Sequence, residues 1–389
     1  MPPYIFESIV LSSARVLAND PSAAPARRGA GAVAAKTPQS RAQERAAAER
    51  RIKRALATLS VSNSITHARV GFQESMRLQT QAARAQRRVG AFRSGYLKAL
   101  TAGQPTRTIR SAGNRNVPTG PVVRAEGGQP TGDKAVDEAY DYMGATYDFF
   151  WSIFNRDSID DQGMPLDGTV HYGRDYANAY WDGRRMVYGD GDQEQFDRFT
   201  KCIDVIGHEL GHGVTEHEAG LIYWGQPGAL NESMSDVFGS LVKQYYFNHT
   251  ATQADWLIGQ GLFMPSVQGV AIRSMKAPGT AYNDPVLGKD PQPAHMDKIY
   301  KGPEDNGGVH INSGIPNHAF YLAATRLGGY AWERAGWIWY ETLMRRDLYR
   351  AADFATFARL TVSTAGLLFP LGVEAQVVKD AWSAVGVAV

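Results

Sequence analysis

The stretch His208-Glu209-Leu210-Gly211-His212 constrains this chain more than any other feature, because it sets two imidazoles four residues apart with a carboxylate beside the first. On an α-helix, residues i and i+4 lie on one face, so both rings can reach a single metal ion. Two neutral imidazoles suit Zn²⁺, and Glu209 lies where a carboxylate could take a proton from a water molecule. The pattern therefore predicts a helix that carries a zinc site.

The residues around this motif are typical of an amphipathic helix. Apolar side chains recur there at spacings of three and four, at Ile203, Ile206, Leu210 and Val214. The same stretch also contains poor helix formers, namely Gly207, Gly211 and Gly213. We expect these glycines to mark close packing against a neighbouring element or a substrate cleft.

A downstream acidic pair supplies a third metal ligand. Glu232 lies twenty residues after His212, and Asp236 follows Glu232 by four, so both carboxylates project from one helical face. We interpret Glu232 as the ligand, and Asp236 and Asn231 as residues that support the ligating rings. Two His and one Glu leave a fourth position open for water, as in catalytic zinc sites. The alternative, a helix N-terminal glutamate favoured by the helix dipole, is weakened by the two upstream histidines.

Seven short motifs follow one another along the chain: 178–181, 186–192, 208–217, 220–223, 228–232, 273–275 and 305–316. In this order they resemble the thermolysin family of zinc metallopeptidases, from about Gly132 to the C-terminus. The resemblance implies an α+β, two-lobed fold with a β-rich N-terminal lobe, a mainly α-helical C-terminal lobe and the zinc helix between them. From the sequence we predict helices over 133–155, 231–247, 312–327, 331–347, 353–365 and 374–385, with short β segments before Asp192.

The resemblance also implies a function, that of a zinc metalloendopeptidase. By similarity, His208, His212 and Glu232 bind one zinc ion, and Glu209 is the general base. A zinc-binding scaffold without activity is the alternative, but metal ligands alone would not require Glu209 beside them.

Other residues acquire roles only through the resemblance. His310 is similar to the histidine that donates to the oxyanion of the tetrahedral intermediate, Tyr223 to its partner donor, and Asp305 to the residue that orients the histidine. Without the family, Tyr223 would be interpreted as a core aromatic residue. Gly307 and Gly308 would predict a tight loop, in which His310 could be an incidental surface residue.

The substrate-binding residues are inferred in the same way. Arg273 resembles the arginine that holds a substrate carbonyl, although alone it would be an ordinary surface cation. Asn178 and the backbone at Ala179 resemble an edge strand that pairs with an extended peptide. The pocket beside the metal is implied to be lined by Phe196, Val205 and Ile272. An apolar pocket predicts cleavage on the amino side of bulky hydrophobic residues.

The sequence departs from the family where a paired calcium site is expected. Asp204 and Asp255 are kept, but the remaining positions hold Lys243, Leu257 and Gln260. Calcium takes six to eight oxygen ligands, and Lys243 would put a positive charge where the ion would lie. We therefore predict that the paired calcium site is absent and that an ammonium–carboxylate pair, such as Lys243 with Asp204, replaces it. A second calcium site is also expected to be lost, because Val270 stands at the position of an Asp.

The net charge of +2 hides an asymmetry between the two ends of the chain. The first 125 residues hold 21 Lys and Arg against 5 Asp and Glu, whereas the rest holds 20 against 34. Such a basic block can be a disordered arm, a nucleic-acid-binding arm, or a pro-segment that docks on its own acidic enzyme. The start, Met1 to Ile9, and the segment 131–155 resemble the protealysin-like branch of the family, whose members carry short pro-segments. This resemblance favours the pro-segment over the nucleic-acid arm.

These observations divide the chain into three parts: a basic pro-segment and linker at 1–110, an N-terminal lobe with the zinc helix at 111–220, and a helical C-terminal lobe at 221–389. Within the first part we predict an Ala/Arg helix over 40–60 and a basic stretch to about Leu100. An exposed linker is expected over 103–118, which contains Gly103, Pro105, Gly113 and Pro118. The predicted partners are protein and peptide substrates and the chain's own pro-segment, and we expect a monomer.

Composition and targeting signals are consistent with a globular enzyme. The chain is 43% hydrophobic and 21% charged. Its single cysteine, Cys202, excludes an intrachain disulfide and is interpreted as a small buried residue. The apolar run Ile9 to Leu11 is too short for a secretory signal, and no stretch has the length of a membrane span. We expect an extracellular protein without a recognisable signal peptide, with a cytoplasmic location as the alternative.

Overall fold

The computed structural model describes residues 1–18, 37, 39–61, 64 and 103–389. Most of the basic stretch that was predicted to continue to about Leu100 lies outside the described residues. Within the described ranges, no helix combines the length and the apolar character needed to cross a membrane.

In the part of the chain that the structure describes, two helices precede the sheet. The first, α1, spans Pro3–Ala18, and the second, α2, spans 39–61 and agrees with the helix predicted over 40–60. Helix α1 was not predicted, and it buries three apolar side chains in the main hydrophobic core, Ile5, Phe6 and Ile9. The N-terminal segment is therefore packed on the rest of the molecule.

A five-stranded sheet forms the N-terminal lobe. Its strands are β1 (Arg107–Ser111), β2 (Val122–Ala125), β3 (Leu166–Val170), β4 (Ala179–Trp181) and β5 (Met186–Tyr188). They lie in the order β2-β1-β3-β5-β4, with parallel pairing of β3 to both β1 and β5 and antiparallel pairing of the two outer strands. The strand expected to bind substrate, β4, therefore forms one edge of this sheet.

Strand β1 corrects the prediction of an exposed linker over 103–118. It lies between β2 and β3, and the side chain of Ile109 is completely buried. Only one of its five residues is fully buried, so the sequence offers too little apolar alternation to indicate a strand. The boundary predicted between residues 110 and 111 falls inside β1, while the division into three parts stays a prediction.

Three long helices fill the centre of the molecule: α3 (Lys134–Phe154), α4 (Ile203–His217) and α5 (Gly225–Phe247). Helix α3 agrees with the prediction, and its N-terminus is capped by the carboxylate of Asp133, which accepts from the backbone N–H of Ala135 at 2.9 Å. Helix α5 begins six residues before the predicted start at 231. Its first turns contain Gly and Pro, which have low helix propensity, and for this reason the sequence did not predict these turns as helical.

Helices α4 and α5 approach closely because small residues line their contact. A Cβ added to Gly239 would lie 2.3 Å from the carbonyl oxygen of Asp204. A Cβ added to Gly207 would lie 3.1 Å from the Cα of Gly239, and one added to Gly211 would lie 3.2 Å from the Cα of Ser235. The prediction that Gly207, Gly211 and Gly213 mark close packing against a neighbouring element is confirmed, since a Cβ added to Gly213 would lie 2.6 Å from Ile159.

The C-terminal lobe is mainly helical. It contains α6 (Glu304–Asn312), whose residues 305–308 form a left-handed loop rather than regular helix, α7 (Gly314–Leu327), α8 (Trp337–Leu343), α9 (Phe354–Leu368) and α10 (Glu374–Ala384). The helix predicted over 331–347 is instead a π-helical turn at Trp332–Gly336 followed by α8. Two short antiparallel pairs were not predicted, β6 (Leu257–Ile258) with β7 (Arg273–Ser274) and β8 (Asn283–Asp284) with β9 (Gly288–Lys289). The two-lobed α+β architecture is as predicted.

One hydrophobic core extends through both lobes. Phe150 of α3 packs against Phe238 of α5 with ring centroids 5.1 Å apart, and Phe154 stacks on Tyr340 of α8 at 4.1 Å. The apolar face of α4 is completely buried in this core, as Leu210 illustrates. The zinc helix is therefore held rigidly between the lobes.

Candidate metal centre

The three predicted ligands converge on one point. The Nε2 atoms of His208 and His212 lie 3.1 Å apart. The Glu232 carboxylate oxygens lie 3.4 Å from Nε2 of His208 and 3.3 Å from Nε2 of His212. Among the described residues, this is the one group of three or more His, Cys, Asp or Glu side chains that lie close enough together to share a metal ion.

The partners of these ligands show that the group fits zinc. Nδ1 of His208 lies 2.7 Å from Oδ1 of Asp236, and Nδ1 of His212 lies 2.8 Å from Oδ1 of Asn231. Each ring can therefore donate through Nδ1 and keep the lone pair of Nε2 for a metal. The Oε2 atom of Glu232 is buried without a hydrogen-bond partner in the described part of the chain. Two nitrogens and one carboxylate, with room for a fourth ligand, suit a catalytic zinc ion.

Asp236 is the centre of the charge network behind the ligands. Besides His208, it binds Arg273, whose Nη2 and Nε atoms donate at 2.6 Å and 2.8 Å, and it accepts from Nδ2 of Asn317 at 2.8 Å. Burial favours the neutral carboxyl, but Arg273 and His208 hold the pKa of Asp236 well below its usual value.

The charge of His208 is set by the same network. Burial disfavours the imidazolium, but the carboxylates of Asp236 and Glu232 outweigh it and raise the pKa of His208 to about 9. A proton and a metal ion therefore compete for this ring.

Glu209 lies between the ligands and the edge of the sheet. The backbone N–H of Trp181, the last residue of β4, donates to its Oε2 atom at 3.2 Å. The Glu209 side chain lines the same cleft as His208 and His212. This position allows Glu209 to act on a water molecule at the metal and on a peptide laid along β4.

The loop before His310 is wound in the left-handed direction, with φ between 53° and 78° at residues 305–308. The Oδ2 atom of Asp305 accepts from the backbone N–H groups of His310 at 2.8 Å and Ile311 at 3.1 Å, while Oδ1 lies 2.6 Å from Nδ1 of His310. The predicted tight loop is confirmed. Its geometry leaves Nε2 of His310 directed away from Asp305.

Tyr223 and His310 meet beside the metal ligands. The Tyr223 hydroxyl lies 3.3 Å from Nε2 of His310 and also donates to Oε1 of Glu232. Nε2 of His310 lies 3.4 Å from the same Glu232 oxygen. Both side chains can thus donate toward a single point next to the zinc position.

The apolar wall of the cleft differs in one residue from the prediction. Val205 and Ile272 line it as expected, together with Phe199 and Ile258. Phe196 is completely buried behind this wall, with its ring centroid 6.2 Å from that of Phe6 and 5.7 Å from that of Phe263. Phe199 therefore contributes the aromatic surface that the sequence assigned to Phe196.

Arg273 lies at the back of the cleft rather than at the surface. It is 4% exposed, and its two hydrogen bonds to Asp236 hold the guanidinium in a fixed plane. The interpretation of Arg273 as an ordinary surface cation is wrong.

The N-terminal residues of the chain occupy the cleft. Met1 and Pro3 line it together with the metal ligands. The amino group of Met1 donates to Oδ1 of Asn178 at 2.6 Å, and the backbone N–H of Ala179 donates to the same oxygen at 2.9 Å. Met1 and Pro3 thus lie in the cleft beside the start of β4.

The predicted ammonium–carboxylate pair at Lys243 is also present. The Lys243 ammonium lies 3.1 Å from Oδ2 of Asp204 and 2.8 Å from Oδ2 of Asp255, and it donates to the carbonyl of Leu257 at 3.3 Å. Burial alone would lower the pKa of Lys243, but the two carboxylates raise it. The expected pairing with Asp204 is confirmed, and Asp255 completes it.

Cys202 lies at the start of the zinc helix. It is buried, and burial raises the pKa of its thiol well above the usual value. A protonated, inaccessible thiol is unreactive, so the structure agrees with the interpretation of Cys202 as a packing residue.

Comparison with known proteins decides the family. Residues 100–216 match the catalytic domain of the thermolysin metallopeptidases, and residues 219–387 match their alpha-helical domain. The chain belongs to the thermolysin family. It is a thermolysin-like metalloendopeptidase with a zinc site of the HExxH type at His208, His212 and Glu232.

Individual relatives agree with this assignment. The chain is 58% identical over 290 residues to an extracellular metalloprotease of Pectobacterium carotovorum subsp. carotovorum, which covers 75% of this chain and 83% of the relative. A solved structure, the precursor of protealysin from Serratia proteamaculans, shares 61% identity with a TM-score of 0.73 and covers 74% of this chain and 89% of its own. Thermolysin of Alicyclobacillus acidocaldarius subsp. acidocaldarius is 41% identical over 263 residues, 66% of this chain and 46% of the relative.

Proposed function

We propose that this chain is the latent form of a zinc endopeptidase whose N-terminal residues block the substrate-binding edge. The observation that carries the proposal is the contact of Met1 with Asn178 in a cleft that also contains Glu209 and the ligands. The similarity to a structure described as a protealysin precursor supports the same conclusion. The nucleic-acid arm is disfavoured, because Arg51 and Arg54 of α2 are paired with carboxylates of the N-terminal lobe.

The proposed reaction is hydrolysis of a peptide bond. Zinc, when bound, supplies Lewis-acid polarisation of the scissile carbonyl and lowers the pKa of a water molecule. Glu209, held by the Trp181 N–H, takes a proton from the attacking water and delivers it to the leaving amine. Proton transfer of this kind contributes about 10²- to 10⁴-fold to the rate.

The developing negative charge is stabilised by donors of the chain. Tyr223 and the Nε2–H of His310 donate to the carbonyl oxygen as it becomes an oxyanion, and a single donor of this type is worth about 3 kcal/mol. Asp305 lies within hydrogen-bond distance of Nδ1 of His310 and so fixes the orientation of the ring with Nε2 toward the cleft.

Substrate binding follows from β4 and the apolar wall. We propose that an extended peptide pairs with β4 at Asn178 and Ala179 once residues 1–3 have left, and that Arg273 binds the carbonyl beyond the scissile bond. The wall formed by Val205, Ile272, Phe199 and Ile258 would bury a Leu, Ile, Phe or Val side chain, which is worth roughly 1.5–3 kcal/mol. Cleavage on the amino side of such residues is the expected specificity. A product profile dominated by Arg or Asp at that position would contradict it.

The names of several relatives describe extracellular metalloproteases. We therefore propose that this protein also acts outside the cell on proteins and peptides, after loss of its own pro-segment, and that it carries no calcium at the Lys243 position.

The function is tested by incubating the purified chain with casein, with and without a zinc chelator, beside a Glu209→Gln variant. We expect casein cleavage that the chelator abolishes and the variant lacks, together with loss of about the first hundred residues in the active protein alone. Intact masses record the processing. Absence of cleavage despite bound zinc would favour a scaffold, whereas full activity of the unprocessed chain would contradict the latent form.

A further inference from the structure

Helix α2 is joined to the N-terminal lobe by two arginines. Arg51 donates from Nε to Oε1 of Glu194 at 2.6 Å. Arg54 donates from Nε to Oδ2 of Asp175 at 3.1 Å, and from Nη1 to Oε2 of Glu194 at 3.2 Å and to the carbonyl oxygen of Asp192 at 3.4 Å. Since residues three apart share a helical face, one face of α2 carries both guanidinium groups.

These ion pairs differ from ordinary surface pairs in their burial. The side chains of Arg51, Arg54 and Glu194 are 22%, 27% and 28% exposed, so solvent reaches them only in part. Glu194 accepts from both arginines, which makes a small network rather than isolated pairs. A network of charges stabilises more than a single exposed pair, and because solvent still reaches these side chains, added salt can weaken their attraction.

The same face of α2 lies next to helix α1. Ala55, one residue after Arg54, is 3% exposed and belongs to the hydrophobic core that contains Phe6 and Ile9 of α1. A small cavity is lined jointly by α1, by α2 and by the lobe, from Phe6, Ile9, Arg51, Arg54, Ala55, Thr58, Asp175, Ala177 and Asp192. Helices α1 and α2 and the catalytic part therefore meet around this cavity, and the cleft residues Met1 and Pro3 lie at the N-terminal end of α1.

The structure assigns Asp175, Glu194 and the Asp192 carbonyl as a docking surface for a helix that presents two arginines three residues apart. We propose that the chain's own α2, bound to this surface, is a strap that holds α1 and the cleft-blocking residues in place. The inference rests on the proposed function for the blocking role of residues 1–3, and it adds a second contact, outside the cleft, that controls how long they stay there.

This arrangement has a consequence for release of the pro-segment. Residues 1–3 are held in the cleft beside β4, whereas α2 is held on the docking surface by ion pairs. Raising the ionic strength weakens charge pairs and leaves apolar burial intact. Salt should therefore loosen α1 through α2, without any change at the metal ligands.

The first test uses the full-length Glu209→Gln protein with zinc, in which the chain stays unprocessed. Hydrogen exchange of the α1 amides is compared between the parent and a variant that also carries Arg51→Ala and Arg54→Ala. Loss of the network should make α1 exchange about fivefold faster, because it removes about 1 kcal/mol of docking energy. Alanine is the best helix former, so α2 itself is not weakened.

Arg45→Ala is the matched control. Arg45 lies on the same helix and pairs with Glu49 in an exposed i,i+4 contact, with side chains 58% and 55% exposed. Its removal should leave exchange of α1 unchanged. In the parent protein, raising the salt concentration from about 0.05 M to about 0.5 M should also make the α1 amides exchange faster, as the Arg51 and Arg54 substitutions do.

A charge exchange separates the ion pair from other effects of substitution. Arg51→Glu and Glu194→Arg, each alone, should accelerate exchange in α1. The two together should restore part of the protection, because one pair is rebuilt while Arg54 then meets the introduced arginine. In the active background, the same single variants should shed the pro-segment faster, and the double variant should shed it more slowly than either of them.

Two outcomes would overturn the strap. One is protection of α1 at the parental level in the Arg51 and Arg54 double variant, whether or not α2 stays protected. The other is exchange that does not respond to salt. Because hydrogen exchange is measured in a protein without activity, failure of the strap is distinguishable from failure of the proposed peptidase function, which the casein experiment reports.

Discussion

Helices α4 and α5 hold two cationic positions that are built in opposite ways. Toward one end, His208 and Glu232 belong to a group that fits an exchangeable zinc ion. Toward the other end, Asp204 of α4 faces Lys243 of α5, whose ammonium is part of the chain. The first position keeps a coordination site open for chemistry, whereas the second is closed by three oxygen acceptors.

The difference between the two positions shows what each cation contributes. A dissociable ion adds stability only when its concentration exceeds its dissociation constant, so it links the enzyme to its surroundings. A tethered ammonium gives a smaller charge and three donors, but it cannot dissociate. The zinc site therefore depends on an external ion for its chemistry, while the Lys243 ammonium contacts Asp255 and the Leu257 carbonyl directly.

The largest expected effect comes from emptying the tethered position. Lys243→Ala would leave Asp204, which is 2% exposed, facing Asp255 without a cation, and breaking a buried pair in this way costs about 3 kcal/mol. Chemical denaturation of the zinc-loaded protein measures the loss. Lys201→Ala is the control, since its pair with Asp197 is exposed and should be worth less than about 1 kcal/mol. Equal losses in the two variants would show that the Lys243 position has no special role.

A second substitution should convert the tethered position into an exchangeable one. Lys243→Glu would place three carboxylates around the Leu257 carbonyl, a ligand set that suits calcium. Calcium at about a hundred times its dissociation constant should then stabilise the variant by about 2.7 kcal/mol. Thermal melting with and without calcium measures this gain. The parent protein, at fixed zinc, should keep its melting temperature when calcium is chelated, and a drop of many degrees would contradict the calcium-free assignment.

At the exchangeable position, the support of the ligands can be removed without touching a ligand. Asp236→Asn keeps the shape of the side chain but loses the charge that binds Arg273 and orients His208. Loss of such a partner weakens metal binding by about 10- to 100-fold. Competition with a chromophoric chelator measures the zinc affinity. Lys243→Ala should leave the zinc affinity unchanged. A comparable loss of zinc affinity in both variants would show that the two positions are not independent of each other.

A pH dependence of zinc binding should appear at the exchangeable position alone. In the folded protein the pKa of His208 is raised to about 9, from an ordinary value of 6.5. The protonated ring stabilises the metal-free fold fully below about pH 6.5, and this contribution is lost as the pH rises through about 9. Zinc must displace that proton, so its affinity should fall about tenfold per pH unit from pH 9 toward pH 6.5. A flat affinity across this window would show that His208 carries no proton there.

The zinc helix and its ligands could be predicted from the sequence because their pattern is local. The spacing of His208 and His212 needs only helical geometry, and Glu232 with Asp236 repeats that spacing on the next helix. The Lys243 pairing followed from a charge that no calcium site would accept. In each of these cases, one residue type at one position excludes most alternatives.

Other features depend on contacts between distant parts of the chain, which no local pattern reports. Met1 meets Asn178 across 177 positions, and Arg51 meets Glu194 across 143. Phe196 and Phe199 differ by three positions, and only the tertiary packing against Phe6 decides which of them faces the cleft. Strands of two residues, such as β6 and β7, are too short to have a period.

The glycine contact between α4 and α5 has a consequence for the choice of metal. Two ligands come from α4 and the third from α5, so the distance between the helix axes sets the size of the ligand triangle. Gly207, Gly211 and Gly239 fix that distance, because a single methyl group at any of them would press against the opposite backbone. These three glycines do not contact the ion, but they set the spacing of its ligands. Substitutions that move α4 and α5 apart would therefore change the ionic radius that the site prefers.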